Sequence, residues 1–207
     1  MDPFFGAEAR YFCAAVATCL SCIAFLPYLR DTILWRTSPQ RSSWLIWGVL
    51  SSISFASQVS EGATSSLFYA GIQCGGTLVI FLFAISRGAG NYLRGRDGAV
   101  LAAAAMGLVL WYLTDSAAWA LGISCGISLL GGSVTVWKCY QDPESETASF
   151  WVLSFMAAVM ALGSVGAPDP VLLAYPAYLF ILNAAILVAM LLGRVRTSAY
   201  AIVPARV

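Results

Sequence analysis

The chain has no histidine and a single lysine, and Asp, Glu, Lys and Arg together make up only 10% of its 207 residues. Without imidazole, the side chain most often used for acid/base work near neutral pH and for metal ligation is missing. No histidine is present to activate a serine or cysteine nucleophile, and Cys19-x-x-Cys22 has none to join it in a metal site. The stretch "GAGNYLRGRDG" at 88–98 reads as a polar loop rather than a nucleotide cradle. These absences argue against an enzyme, and no cofactor or metal is expected. A net charge of +1 gives no reason to expect a nucleic-acid partner.

What the chain does have is apolar sequence, 60% of its residues, with a mean hydropathy of +0.81. Such a composition lies outside the range of soluble domains. Seven runs approach the roughly 20 residues needed to cross a hydrocarbon layer. They lie at about 11–29, 43–60, 65–86, 98–114, 116–137, 148–166 and 171–193, the fourth being the shortest. Their length argues for helices, since a barrel strand needs only about 10 residues and alternates in polarity. The opening "MDPFFGAEAR" is acidic before Arg10, unlike the basic start of a signal peptide, so the first run is expected to stay in the membrane. The six cysteines mostly fall inside the runs and read as small packing residues.

Lys and Arg gather on the cytoplasmic side of a membrane. The loops after runs one, three and five and the C-terminal segment hold Arg30, Arg36, Arg41, Arg87, Arg94, Arg96, Lys138, Arg194, Arg196 and Arg206, and the other side holds Arg10 alone. The expectation is a multi-pass protein of a cytoplasmic (inner) membrane, N-terminus outside and C-terminus in the cytoplasm. The bias to arginine, alanine and glycine suggests a GC-rich bacterial genome.

Shifting the chain by 104 residues lays Ile23 on Ile127, Leu26 on Leu130, Pro39 on Pro143 and Trp47 on Trp151. A shift of 106 lays Tyr69 on Tyr175 and Thr77 on Asn183. The entrances "SPQRSSWLIW" and "DPESETASFW" thus share a Pro-to-Trp spacing, and each follows a run with a backbone-loosening element near its end, Pro27 or Gly131-Gly132. The pattern predicts an all-α membrane protein whose seven transmembrane helices form two parallel three-helix bundles joined by a linker helix. The boundaries are an outer segment 1–10, a first bundle 11–86, a basic loop and linker 87–115, a second bundle 116–193 and a cytoplasmic tail 194–207.

With Leu26-Pro27-Tyr28 near the end of the first run and Arg36-Thr37-Ser38 opening the next turn, the chain resembles the PQ-loop superfamily that includes the SWEET sugar carriers. The segments "RDTILWRTSPQRSSWLIW" and "DPESETASFWVLS" resemble, more narrowly, a bacterial group of PQ-loop-like membrane proteins. In that family the Pro-Gln pair lies inside the first helix of a triplet. Here the register belongs to Pro27-Tyr28 and to Gly131-Gly132, the expected hinges, while Pro39-Gln40 falls in a turn where Pro39 is explained as a helix-start residue.

The second run carries Trp47, Ser51, Ser54 and Gln58 on one helical face, a polar-aromatic stripe that lipid cannot satisfy. The hydroxyls either join helices or line a binding site, and Trp47 alternatively belongs to an interfacial belt. Asn183 in the seventh run raises the same choice. The family resemblance implies a pocket built from an Asn on the third helix of each triplet and a Trp on the second, which here gives Asn183 and Trp151, with Thr77 and Trp47. Its implied occupant is a small polar solute, and the Thr in place of one Asn argues against assuming a sugar.

Glu61, Asp115 and Asp169 fall at predicted outer loop ends, so no buried proton relay is expected. Glu144 and Glu146 stand opposite Arg36 and Arg41 if the two cytoplasmic turns face each other. They then form an inner gate of ion pairs, the alternative being solvated or helix-capping carboxylates. The functional expectation is a carrier working by alternating access. The other reading is a non-transporting subunit or receptor docked in a larger membrane complex, or a homo-oligomer, using glycine faces such as Gly71 with Gly75 and Gly122 with Gly126.

Overall fold

The computed structural model describes residues 6–60, 66–90, 95–113, 117–165 and 170–202. Its elements are α1 (Ala7–Ile33), α2 (Arg41–Ser60), α3 (Ser66–Arg87), α4 (Gly95–Tyr112), α5 (Ala117–Gln141), a 3-10 turn (Pro143–Ser145), α6 (Ala148–Ser164) and α7 (Pro170–Ile202). The described residues form no strand, and one isolated bridge pairs Gln40 with Ala89. The expectation of an all-helical chain holds.

Three helical stretches among the described residues, Ala7–Ile33, Phe68–Arg87 and Leu173–Ser198, are long and apolar enough to cross a membrane. Around them Ile23, Leu26, Leu82, Met156, Leu191 and Val195 are exposed on the outside of the bundle. A surface of this kind is favourable where apolar surroundings replace water.

Helix packing follows a simple exchange. Within the first half the backbone of α3 runs close to both α1 and α2, which meet through the side chains of Tyr28 and Trp44, and within the second half α7 runs in the same way close to α5 and α6. Across the halves α1 packs on α6 and α2 on α5, so the pattern is unchanged when α1, α2 and α3 are swapped for α5, α6 and α7. Helix α4 rests on α5 and reaches α2; Leu101 and Ile123 pack against the cluster of Ile46, Leu50, Ile127 and Val134.

Prolines and one left-handed residue shape the helix ends. Pro27 stands inside α1, where its missing N–H removes the donor that the Ile23 carbonyl would otherwise meet. Helix α7 contains a second internal proline, Pro176, which the sequence reading did not use. Trp35 adopts φ 60°, a conformation that stops α1 rather than extending it. Pro39 lies two residues ahead of α2 rather than in its first turn: its carbonyl accepts from the Ala89 N–H at 2.9 Å, and Ala89 in turn accepts from the Arg41 N–H at 3.1 Å.

Helix α7 continues to Ile202, so the segment expected to be a tail from 194 is helical over most of its length. The polar residues there find partners along a helix: Arg196 donates to the Gln141 carbonyl at 3.0 Å and stacks over Tyr140, and the Thr197 hydroxyl donates to the Gly193 carbonyl. Helix α1 likewise starts at Ala7, ahead of the expected boundary at 11. The cysteines divide. Cys139 is buried, whereas Cys19 and Cys22 lie on the exposed face of α1 and do not pack inside the chain.

At the glycines, close packing within the chain occurs away from Gly75 and Gly126. A Cβ added at Gly75 or Gly126 meets nothing within 4 Å, whereas one at Gly193 would stand 2.7 Å from the Tyr140 carbonyl oxygen and one at Gly132 would stand 2.4 Å from Leu182; Gly122 lies outside the described residues. Gly193→Ala forces backbone apart and is expected to cost about 1–3 kcal/mol. Gly75→Ala restricts only the unfolded chain and is expected to gain about 0.5–1 kcal/mol. Unfolding midpoints of the two variants in detergent, moving in opposite directions, check the assignment.

Candidate functional site

Five of the helices and the end of α1 converge on one cavity. Helix α2 contributes Trp44, Trp47 and Ser51 at i, i+3 and i+7, one helical face, and α6 contributes Phe150, Trp151 and Ser154. Thr77 and Gln73 enter from α3, Ser128 from α5, Phe25 from α1, and Tyr175, Tyr178 and Asn183 from α7. The cavity measures about 60 Å³ at the centres of water-sized molecules, which is room for roughly four to six waters or a small solute. Among the described residues that line it, none carries a formal charge.

The sequence-predicted residues Trp47, Trp151, Ser51, Thr77 and Asn183 all line this one cavity. Trp47 and Trp151, expected to correspond between the halves, face each other with ring centroids 6.1 Å apart. At 8% exposure Trp47 is part of the cavity wall and not of an interfacial belt, and its indole N–H reaches toward the Ser128 carbonyl at 3.4 Å. The side chains of Ser54 and Gln58 lie outside the described residues.

The hydroxyls are partly committed to holding helices together. Ser51 and Thr77 hydrogen-bond each other at 2.8 Å, and Thr77 donates to the Gln73 carbonyl at 2.7 Å, which ties α2 to α3. Ser43 donates to the Gly131 carbonyl at 2.5 Å and accepts from Thr135 at 2.9 Å, which ties α2 to α5. Gly131 itself packs on Ile46, so this expected hinge is also a close helix crossing. Asn183 is different. It is 5% exposed and borders the cavity, and none of these helix-tying bonds uses its amide. The buried Tyr178 hydroxyl lacks a well-formed bond, although Ser128 and Trp47 stand beside it. An unpaired hydroxyl is costly away from water and a buried amide beside a cavity seeks a partner there, which makes these two groups the natural anchors of an occupant.

Comparison with protein-family models, with curated proteins and with solved structures gives no match.

Beneath the cavity, toward the end that bears the α1–α2 and α5–α6 turns, lies an aromatic layer. Tyr28 is fully buried and packs on Trp44 and Phe150 at centroid distances of 5.0 and 4.7 Å, and Phe150 meets Trp151 edge-on at 4.8 Å. The Trp44 indole donates to the Tyr28 hydroxyl at 3.1 Å. Below this layer the two turns are stitched to each other: the Ser38 N–H donates to the Ser145 carbonyl at 3.0 Å, the Thr37 and Thr147 hydroxyls meet at 2.5 Å, and Thr147 also bonds the Asp31 carboxylate at 3.1 Å.

The expected ion pairs across the turns are not the ones formed. Arg41 turns away and donates to the Ala84 carbonyl at 3.0 Å and the Gly90 carbonyl at 2.8 Å, closing the end of α3, and Arg36 is exposed. Glu144, also exposed, pairs with Arg194 at 3.0 Å. Glu146 pairs with Lys138 at 2.5 Å, and its side chain is completely buried, so it is neither a solvated carboxylate nor a helix cap. An extended residue between the 3-10 turn and α6 turns this side chain inward, where Trp151 Nε1 donates to its Oε2 at 3.2 Å.

Trp44, Phe150, Tyr178, Tyr28 and Lys138 were not among the expected site residues. Two carried a usable signal. Trp44 extends the Trp47–Ser51 stripe backward by three residues, and Lys138 is the only lysine in the chain.

Proposed function

We propose that the chain is a small-molecule membrane carrier in which two three-helix units rock about the cavity to admit a solute from alternate sides. The observation that carries the reading is the buried Asn183 amide bordering an aromatic cavity, uncharged among its described lining residues, between two halves with matching helix contacts. Inverted or parallel repeats with a site at their interface are a common carrier design, and motion of one unit against the other changes access without dismantling either. The PQ-loop reading, with seven spans, N-terminus outside and the arginine-rich turns in the cytoplasm of an inner membrane, accounts for the Pro27 break and for the paired turns. In that orientation the cytoplasmic end is shut by the aromatic layer and the stitched turns. An occupant without net charge suits walls that offer indoles, hydroxyls and amides but no ion.

A thermal-shift screen of the purified chain against sugars, amino acids, carboxylates and vitamins, run beside Asn183→Ala, tests the site. The expected outcome is at least one uncharged solute that raises the wild-type midpoint in proportion to log concentration and leaves the variant unmoved. Equal shifts in both proteins would remove Asn183 from the site. A shift produced only by a co-purifying protein would favour the docked-subunit reading.

A further inference from the structure

Glu146 bonds the cavity wall from the side of the turns. Its Oε1 accepts from Lys138 at 2.5 Å and its Oε2 from the Trp151 indole at 3.2 Å. The Tyr28 hydroxyl, which accepts from the Trp44 indole at 3.1 Å, stands beside this carboxylate. Lys138 has a second bond, to the Ser38 carbonyl in the turn of the other half. One buried carboxylate therefore holds an indole that walls the cavity and, through the lysine, both turns that close the end of the bundle, with the Tyr28–Trp44 pair packed alongside.

A network of this kind has two stable conditions. With every donor in place the charges are satisfied away from water; with one donor lost the carboxylate is left short of partners in an apolar surrounding, and the remaining remedy is to admit water. A solute that presses on Trp151 tilts an indole whose N–H is committed to this network. Parting of the turns, conversely, draws Lys138 off the Ser38 carbonyl.

We propose that Glu146 is a positioning residue that couples occupation of the cavity to closure of the turn-bearing end, orienting Trp151 directly while Lys138 fastens the two turns. The purpose of the coupling rests on the carrier reading. Its geometry does not.

Cys139 is a native reporter, adjacent to Lys138 and fully buried. In purified full-length chain with the other five cysteines replaced by alanine, a water-soluble maleimide should modify Cys139 slowly. Glu146→Gln keeps the size but loses the charge, and Trp151→Phe keeps the aromatic wall and the ion pair but loses the N–H. Each is expected to raise the modification rate by about tenfold or more, because opening at this end no longer breaks a complete network. A control with Cys139 also replaced and Ala17→Cys, a buried position in the other part of α1, should show no change. Wild-type rates in Glu146→Gln overturn the proposal, and if that variant does not yield folded protein, wild-type rates in Trp151→Phe do so. Equal acceleration at positions 17 and 139 means general loosening and overturns it as well. The assay needs no solute, so opening without transport of any solute would defeat the carrier reading alone, and transport with unchanged labelling would defeat the coupling alone.

Discussion

Replacing Trp44 with alanine is expected to lower the unfolding free energy by about 3–5 kcal/mol, the range for deleting a buried large aromatic side chain. The side chain is 1% exposed and touches Tyr28, Trp47 and Phe150 with centroid distances of 5.0, 5.3 and 5.8 Å. It thus joins α2 to α1 and to α6, and the loss opens a space at the floor of the cavity that its neighbours fill only in part. Trp44→Phe separates packing from hydrogen bonding. It keeps most of the buried area and deletes the N–H that meets Tyr28, so a loss nearer 1–2 kcal/mol is expected. Unfolding by sodium dodecyl sulfate titration in mixed micelles, followed by circular dichroism, measures both. Equal losses would mean that the hydrogen bond rather than the aromatic contact holds this layer.

Lys138→Met should cost a similar amount, about 3–5 kcal/mol, because it strands a buried carboxylate. The Glu146 side chain has no exposed surface and that of Lys138 only 14%, so solvent compensates little. The informative variant is the double one. In Lys138→Met with Glu146→Gln, a neutral amide oxygen can still accept from Trp151 and no ammonium is needed, so stability should return to within about 1–2 kcal/mol of wild type. The Arg194–Glu144 pair supplies the contrast, with side chains 48% and 77% exposed. Breaking an exposed pair of that kind should cost less than about 1 kcal/mol. If Lys138→Met behaved like Arg194→Met, the inward placement of Glu146 would be wrong.

The cavity was legible to the extent that it follows helical spacing. Trp47 and Ser51 share a face by periodicity alone, and the coincidence of Thr77 with Asn183 and of Trp47 with Trp151 under nearly equal shifts put four helices around one place. Trp44 was passed over because a tryptophan at a helix entrance looks the same whether it meets headgroups or a second unit. Glu146 misled for a related reason. Its position two residues before α6 marks it as a turn residue, but only the docking of the opposite turn, through Ser38 and Thr37, removes it from water. Lys138 was counted for orientation and not for chemistry. A compact ammonium fits between the Ser38 carbonyl and the Glu146 carboxylate, which suggests why the one lysine stands here among ten arginines.

Glycine spacing shows a different limit. A small-xxx-small pattern permits close approach without locating it, and the close approaches occur at Gly132 against α7 and at Gly193 against the last carbonyls of α5 rather than at Gly75 or Gly126. The end of α7 was hidden because the apolar run stops near Gly193 while the helix goes on, its arginines paired with Glu144 and Gln141. Hydropathy reports where a chain is apolar. It does not report where a helix finds its next hydrogen bond.

Solute entry into liposomes tests the central claim most directly. The chain is reconstituted, the vesicles are shrunk in turn by each uncharged solute of the panel, and reswelling is followed by light scattering. The account predicts that at least one small uncharged solute enters faster than into protein-free vesicles, and that Asn183→Ala returns the rate toward the protein-free value. Rates equal to protein-free vesicles for every solute, including any that stabilises the purified chain, would contradict it.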